Sequence, residues 1–440
     1  MQQANESGRV RYMLRALRHR NYRLFFFGQG VSLVGTWITR VATSWLVYRL
    51  TGSAALLGVV SFAGQIPTFV LGPFAGVWVD RVDRYRAMVA TQVLSMLQSG
   101  ALAVLALSGV IRIWHILALS VVQGLINSID IPARQSYVVE MVEGPADLPN
   151  AIALNSSMVN GARLIGPSIA GVLVALFGEG WCFTIDAVSY LAVIASLLMM
   201  HVQHQQRATR RRPPLHDLRA GFSYVSRFRP VRAALLLLAL VSLMGMPYAV
   251  LMPIIAARVL HGGPNTLGIL MAATGLGALA GALFLAARSS VLGLGRIIAI
   301  SAALFGVSLC AFSFARSLPL AVGLLVLVGI GFMVQTASTN TVLQTIVDNE
   351  MRGRVMSFYS MAFMGMAPFG SLLAGLVAGK IGAPWTIFIG GTVCIAGAAI
   401  FARQLPALRA EVRPVYRERG ILPEIATGLG EATSVREEEA

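Results

Sequence analysis

The sequence predicts an all-α membrane protein of twelve transmembrane helices arranged as two similar six-helix bundles. Three observations predict it. Mean hydropathy is +0.72 over 440 residues, of which 56% are hydrophobic and only 12% charged. The apolar residues fall in blocks of about 20, the length that crosses a ~30 Å hydrocarbon core as a helix. A single long basic stretch, 201–231, breaks the pattern after the sixth block.

In chain order the blocks are 24–48, 55–78, 87–108, 114–136, 153–177, 181–200, 232–257, 266–288, 296–315, 318–340, 357–379 and 384–402. Lipid offers backbone groups no hydrogen-bond partner, so spans of this length are helical. A β-barrel needs alternating segments of about 10 residues, and the sequence contains none. The divisions that follow are a first bundle with its tail at 1–200, a basic linker at 201–231, a second bundle at 232–403, and a disordered tail at 404–440. The two bundles repeat. A shift of 204 pairs Ser156 with Ser360, Gly166 with Gly370, Gly171 with Gly375 and Trp181 with Trp385, and a shift of 205 pairs Gly76 with Gly281. Such duplication suits a carrier that rocks two bundles about a midplane site.

The net charge of +16 is distributed in a way that argues against nucleic acid as a partner. Of 35 basic residues, 27 fall in the tails and the connections on the same side, five fall in the opposite connections and three lie within spans. That asymmetry predicts a multi-pass protein of the bacterial inner membrane with both termini cytoplasmic, its basic loops facing anionic lipid. Residues 1–20 carry five Arg and no apolar run, so no cleaved signal peptide is expected. Cys182, Cys310 and Cys394 have neither metal nor redox spacing, and no metal site is expected.

Ionisable groups inside spans cost ~2.5–3.5 kcal/mol on insertion scales and point to function. In span 4, Gln123, Asn127, Asp130 and Arg134 share one helical stripe, as do Ser156, Asn160, Arg163 and Pro167 in span 5 and Gln29, Thr36, Arg40 and Thr43 in span 1. Asp186 lies one turn inside span 6, and span 10 carries Gln335 and Thr339. Depth along the spans lets Arg163 reach Asp130, and Arg40 reach Asp186. Two readings remain open: buried salt bridges that hold the bundle together, or a wet cavity in which Asp130 or Asp186 carries a proton and an arginine meets cargo. The second half, with Met244, Met246, Tyr248, Met361, Met364 and Met366, offers an adaptable apolar wall.

One connection is unlike the rest. Gly76-x-x-x-Asp80-Arg81-x-x-Arg84-x-Arg86, between spans 2 and 3, resembles the signature of the major facilitator superfamily. TWITRVATSWLVYRLTGS, DIPARQ, LPNAIALNS and GARLIGPSIAG resemble the branch that contains enterobactin exporters and macrolide efflux proteins. The resemblance covers Asn21 to Leu405 and implies that spans 1, 4, 7 and 10 line a central cavity. It implies too that Asp80 faces the start of span 11 near Ser357 as an inter-bundle latch. In the second half Leu285 stands where the repeat would place an acid. Gly161, Gly166, Pro167 and Gly171 resemble the span 5 glycine–proline motif associated with antiporters, which implies export. No cofactor is expected beyond the proton gradient as energy source, since the sequence has no G-x-x-x-x-G-K-[ST] run. Serine elbows, H-E-x-x-H and catalytic carboxylate pairs are missing too, which argues against an enzyme. The expectation is a monomeric, proton-coupled exporter of amphipathic small molecules. A siderophore exporter using Arg40 and Arg163, and a non-transporting scaffold or receptor, are the alternatives.

Overall fold

The computed structural model describes residues 14–79, 82–142, 144, 147–200, 214–288 and 290–421. Six helices form the first half: α1 (Arg20–Thr51), α2 (Ala54–Val79), α3 (Arg84–Leu107), α4 (Ile113–Met141), α5 (Leu148–Phe177) and α6 (Glu179–Leu198). A short helix, α7 (Pro214–Arg227), precedes the six of the second half. These are α8 (Arg229–Val259), α9 (Pro264–Ala286), α10 (Leu294–Ser313), α11 (Leu318–Ile346), α12 (Asn349–Ile381) and α13 (Ala383–Glu418). Eleven of these are long and apolar enough to cross a membrane by composition. The twelfth, α1, is as long, but Gln29, Ser32, Thr36, Thr39, Arg40, Thr43 and Ser44 lower its hydropathy.

Each apolar block of the sequence coincides with one of these helices, overrunning it by at most two residues, and the largest departure is at the chain's end. Residues 404–418, expected as part of a disordered tail, continue α13 as helix through Pro406 and Pro414. The reason is a stripe at helical spacing, Leu405, Leu408, Val412 and Tyr416, of which Leu408 and Val412 are buried. Residues 422–440 and 201–213 lie outside the described residues.

Within the first half, α1 packs on α5 and α6, α2 on α4, and α3 on α4 and α6; within the second, α11 packs on α9 and α10, and α13 on α8 and α10. The halves meet along two seams, α5 against α9 and α2 against α12. Each seam is a backbone contact. A Cβ added to Gly171 would stand 3.0 Å from the Gly268 Cα, and one added to Gly375 would stand 2.8 Å from the Gly58 Cα. Helices gain little from the hydrophobic effect against lipid, so small residues that let backbones touch supply the attraction.

Both glycine contacts lie toward the side of the protein opposite the chain's tails. A third link is on the same side: Arg258, at the end of α8, donates from Nη2 to the Gly52 carbonyl at 2.9 Å and lies over the Tyr48 ring at 5.9 Å. Gly52 ends α1 with a φ of 58°, the left-handed conformation that glycine tolerates. On the tail side, the Asn349–Ser360 stretch of α12 packs on α7 and α11 rather than continuing along α2.

The seam makes a test. Gly375→Val places branched carbons against Ala54 O and the Gly58 backbone, overpacking that costs typically 1–3 kcal/mol. The variant is expected to fold with full helicity but to melt lower. A cysteine placed at Ala55 should react faster with a membrane-impermeant maleimide than it does in the unsubstituted background. An unchanged reactivity would show that the seam does not hold this side shut.

Candidate functional site

A cavity of about 370 Å³ lies between the halves, within the ~300–1,000 Å³ typical of ligand pockets. Its first-half wall is polar: Thr36, Thr39, Arg40, Thr43 and Ser44 of α1, Gln98 and Ser99 of α3, Gln123 and Asn127 of α4, Arg163 of α5, and Asp186 and Tyr190 of α6. Leu57, Val60, Ser61 and Gln65 of α2 line the same chamber. The second-half wall is mostly apolar: Met246, Tyr248 and Val250 of α8, Met271, Thr274 and Ala278 of α9, Phe332 of α11, and Ala367 and Ser371 of α12. Spans 1, 4, 7 and 10 were expected to form the lining; the structure adds residues from α2, α3, α5, α6, α9 and α12.

The three charged residues of the lining are Arg40, Arg163 and Asp186. The Arg40 guanidinium carbon sits 4.5 Å from the centroid of the Trp37 ring, and that of Arg163 sits 5.5 Å from it. One indole thus serves two cations, each gaining roughly 0.5–2 kcal/mol from the ring face. Neither arginine forms a hydrogen bond or ion pair among the described residues. Asp186 accepts from the Ser99 hydroxyl at 2.7 Å through Oδ2, while its Oδ1 and the Thr39 hydroxyl have no hydrogen-bond partner. Gly35 lets α1 approach this carboxylate, since a Cβ there would stand 2.7 Å from Oδ1.

The two expected ion pairs are not formed. Arg40 lies over Trp37 rather than on Asp186, and Asp130 is held away from Arg163. Asp130 is buried, accepts from Thr91 at 2.9 Å and Gln92 at 2.7 Å through Oδ1, and meets Arg134 at 3.8 Å through Oδ2. The stripe on α4 is continuous, with Gln123 donating to Asn127 at 3.1 Å. One turn further along, however, α3 comes close enough to supply two side chains to the acid. Asn160 donates to the Ser156 carbonyl of its own helix at 2.9 Å and does not line the cavity. Gln335 is fully buried in α11, 3.5 Å from Thr339, with Oε1 unpartnered, and also lies outside the lining.

The span 5 motif is a packing device in this structure. Gly161 faces open space, Gly166 backs onto Trp37 of α1, Pro167 lines the cavity, and Gly171 is the seam contact. In the connection between α2 and α3, Gly76 lies in the last turns of α2, and Asp80 and Arg81 lie outside the described residues. Asp83 caps α3 by accepting from the backbone N–H groups of Tyr85 and Arg86, at 2.9 and 3.3 Å. Arg86 meets Asp83 at 3.4 Å, and Arg84 reaches Glu140 of α4 at 2.6 Å.

Trp37, Ser99 and Glu140 were not among the residues expected from sequence. Trp37 was findable as an aromatic one turn before Arg40 on the cavity face. Ser99 belongs to a polar stripe on α3, Gln92, Ser95, Gln98 and Ser99, whose spacing is as regular as that on α4. Glu140 carried no signal, because its partner lies 56 positions away.

Two unpaired guanidiniums side by side in a membrane interior are costly for stability. Arg40→Met is therefore expected to raise the melting temperature of the purified protein while lowering transport by at least tenfold. A lower melting temperature would make Arg40 a structural residue instead.

Residues 13–425 match the family profile described as transmembrane secretion effector, within the major facilitator superfamily. The staphyloferrin A transporter of Staphylococcus aureus is 27% identical over 396 residues, which is 88% of this chain and 98% of that one. Macrolide efflux protein A of Streptococcus pyogenes is 24% identical, over 86% and 96% of the two chains. The multidrug efflux pump Tap of Mycolicibacterium fortuitum is 28% identical, over 82% and 89%. Among solved structures, a nucleoside transporter aligns with a TM-score of 0.67 at 15% identity, covering 88% of this chain and 99% of its own. A bacterial homologue of ferroportin in an inward-facing state aligns with a TM-score of 0.67 at 15% identity, covering 87% and 98%. At such identity these two speak to the fold alone.

Proposed function

The chain belongs to the transmembrane secretion effectors of the major facilitator superfamily, and on that premise we propose that it exports amphipathic small molecules by proton-coupled antiport. It is a multi-pass membrane transporter of the efflux type and not an enzyme. The observation that carries the proposal is the cavity itself, built jointly by both halves, with its charge on one wall and its apolar surface on the other. An amphipath placed there satisfies both walls at once. The two seams lie on the side opposite the tails, so rocking about them exposes the cavity to the tail side. The distribution of basic residues supports an inner-membrane location with that side cytoplasmic.

Antiport constrains which group couples. Proton and cargo must exclude one another, so they must compete for the same atoms. Asp186 meets that condition: its Oδ1, buried against Gly35 of α1, has no hydrogen-bond partner, so it can take a proton or, once α1 moves off it, a donor group of the cargo. Asp130 does not, since Thr91, Gln92 and Arg134 already surround it. Neutral and cationic amphipaths that donate to Asp186 are the fitting cargo, with their apolar part against Met246, Met271 and Phe332.

A second reading has its own observation. Arg40 and Arg163 are free to take an anionic group, as an acidic chelator would offer, and the resemblance to a staphyloferrin A transporter supports it. The two readings predict opposite coupling. A protonated Asp186 leaves the cavity more positive, which favours an anion and disfavours a cation.

Everted vesicles energised with a pH gradient separate them. Asp186→Asn is expected to abolish gradient-driven uptake of a cationic dye while preserving dye exchange down its own gradient, and Asp130→Asn is expected to leave coupling intact. Intact coupling in Asp186→Asn would remove that residue from the mechanism. Uptake of an anionic chelator that survives Asp186→Asn but is lost in Arg40→Gln would establish the second reading.

A further inference from the structure

A second cavity, of about 380 Å³, lies entirely within the second half and takes no part in the transport reading. Its walls are the starts of α8 (Pro230, Ala234) and α10 (Gly295, Ile298), the end of α11 (Val342), and the extension of α13. All four are ends on the tail side, where a helix leaves hydrocarbon for the headgroup layer. The end of α13 supplies half of the lining: Phe401, Leu405, Leu408 and Val412 on the apolar face, then Arg409, Arg413 and Tyr416. This is why a helix with two prolines persists to Glu418: its apolar stripe forms one wall of a chamber.

Arg409 and Arg413 are four residues apart, so they project from one face. Both are exposed, and neither has a hydrogen bond or ion pair among the described residues. Several arginines nearby are engaged: Arg229 meets Glu411 at 3.5 Å, Arg232 donates to the Ser226 carbonyl at 2.9 Å, and Arg419 donates to the Val347 carbonyl at 2.8 Å. An apolar chamber beneath two free guanidiniums at interfacial depth has the chemistry of an anionic phospholipid site, and basic pockets between membrane helices recognise such headgroups. We propose that this cavity binds one anionic phospholipid, its phosphate on Arg409 and Arg413 and an acyl chain along Leu405, Leu408 and Phe401. Arginine suits the phosphate because its planar fork donates two parallel hydrogen bonds. A zwitterionic lipid brings a cation to the same place and is disfavoured.

The test uses the purified full-length protein in neutral detergent, with dioleoylphosphatidylglycerol or dioleoylphosphatidylcholine added. Melting temperature and the number of lipids retained in native mass spectrometry are the readouts. Phosphatidylglycerol is expected to raise the melting temperature and to remain bound as one molecule, and phosphatidylcholine to do neither. R409Q/R413Q should weaken phosphatidylglycerol binding by about 10–30-fold, the loss expected from two surface arginines. Leu408→Trp, which fills the chamber and keeps both charges, should weaken it too; R409K/R413K, which keeps the charges but loses the forks, should bind more tightly than R409Q/R413Q and less tightly than the unsubstituted protein. Should R409Q/R413Q fail to fold, the lipid response of Leu408→Trp decides the matter. Equal responses to the two lipids, binding that survives both R409Q/R413Q and Leu408→Trp, or full reproduction of the effect by inorganic phosphate would overturn the proposal.

Discussion

Two glycine crossings hold this molecule together across its middle. In water, two six-helix bundles would be driven together by the burial of apolar surface. In lipid that force is absent, and contact must come from backbones close enough for dispersion to act. Gly171 against Gly268 and Gly375 against Gly58 provide it. The internal repeat places Gly171 and Gly375 at equivalent positions, so the same site in each half seeks a glycine in the other. A pseudo-twofold contact of this kind leaves the centre between the seams unfilled, and that space is the cavity. The polar wall, the arginines and Asp186 all depend on the shelter it gives.

The shelter explains a distribution of charge that would otherwise be untenable. Arg40 and Arg163 are not neutralised by carboxylates; they share the face of Trp37. The acids that a purely structural design would have used are turned elsewhere. Asp130 is committed to α3 and to Arg134, and Asp186 keeps one buried oxygen without a hydrogen-bond partner. An arrangement that leaves two cations and a carboxylate oxygen unpartnered is poor for stability and suited to binding, the usual sign that a site was kept for its chemistry.

Much of this was legible in the residues. Twelve apolar blocks gave the helices, because a membrane fixes both their length and their composition. Polar residues at helical period brought Arg40, Gln123, Asn127 and Arg163 to one chamber, and the lone acid inside span 6 added Asp186. The same rule carried Asp130, Asn160 and Gln335 too far, since a stripe tells which face is polar but not which neighbour meets it at each turn. Contacts set by helix crossing were hidden for the same reason: Arg84 with Glu140, and Arg258 with the Gly52 carbonyl, join residues far apart in sequence. The helical continuation past residue 404 was concealed by Pro406 and Pro414, which read as punctuation until the stripe beneath them is seen packed.

Among the described residues the helices of the two halves, though similar in sequence, do not coil alike. Three widened turns, each closing over five residues rather than four, occur at Val241–Gly245 and Ile255–Val259 in α8 and at Met361–Gly365 in α12. Such turns cluster at functional places in proteins, and here Pro247, Pro253 and Pro368 follow or separate them. A rod that already holds a surplus residue in a coil can pass that surplus along its length, rotating its side chains by a fraction of a turn without unwinding. On the antiport reading, a wall able to re-register in this way stands opposite the wall that carries Arg40, Arg163 and Asp186, so adaptation to cargo and coupling fall to different halves of one chain.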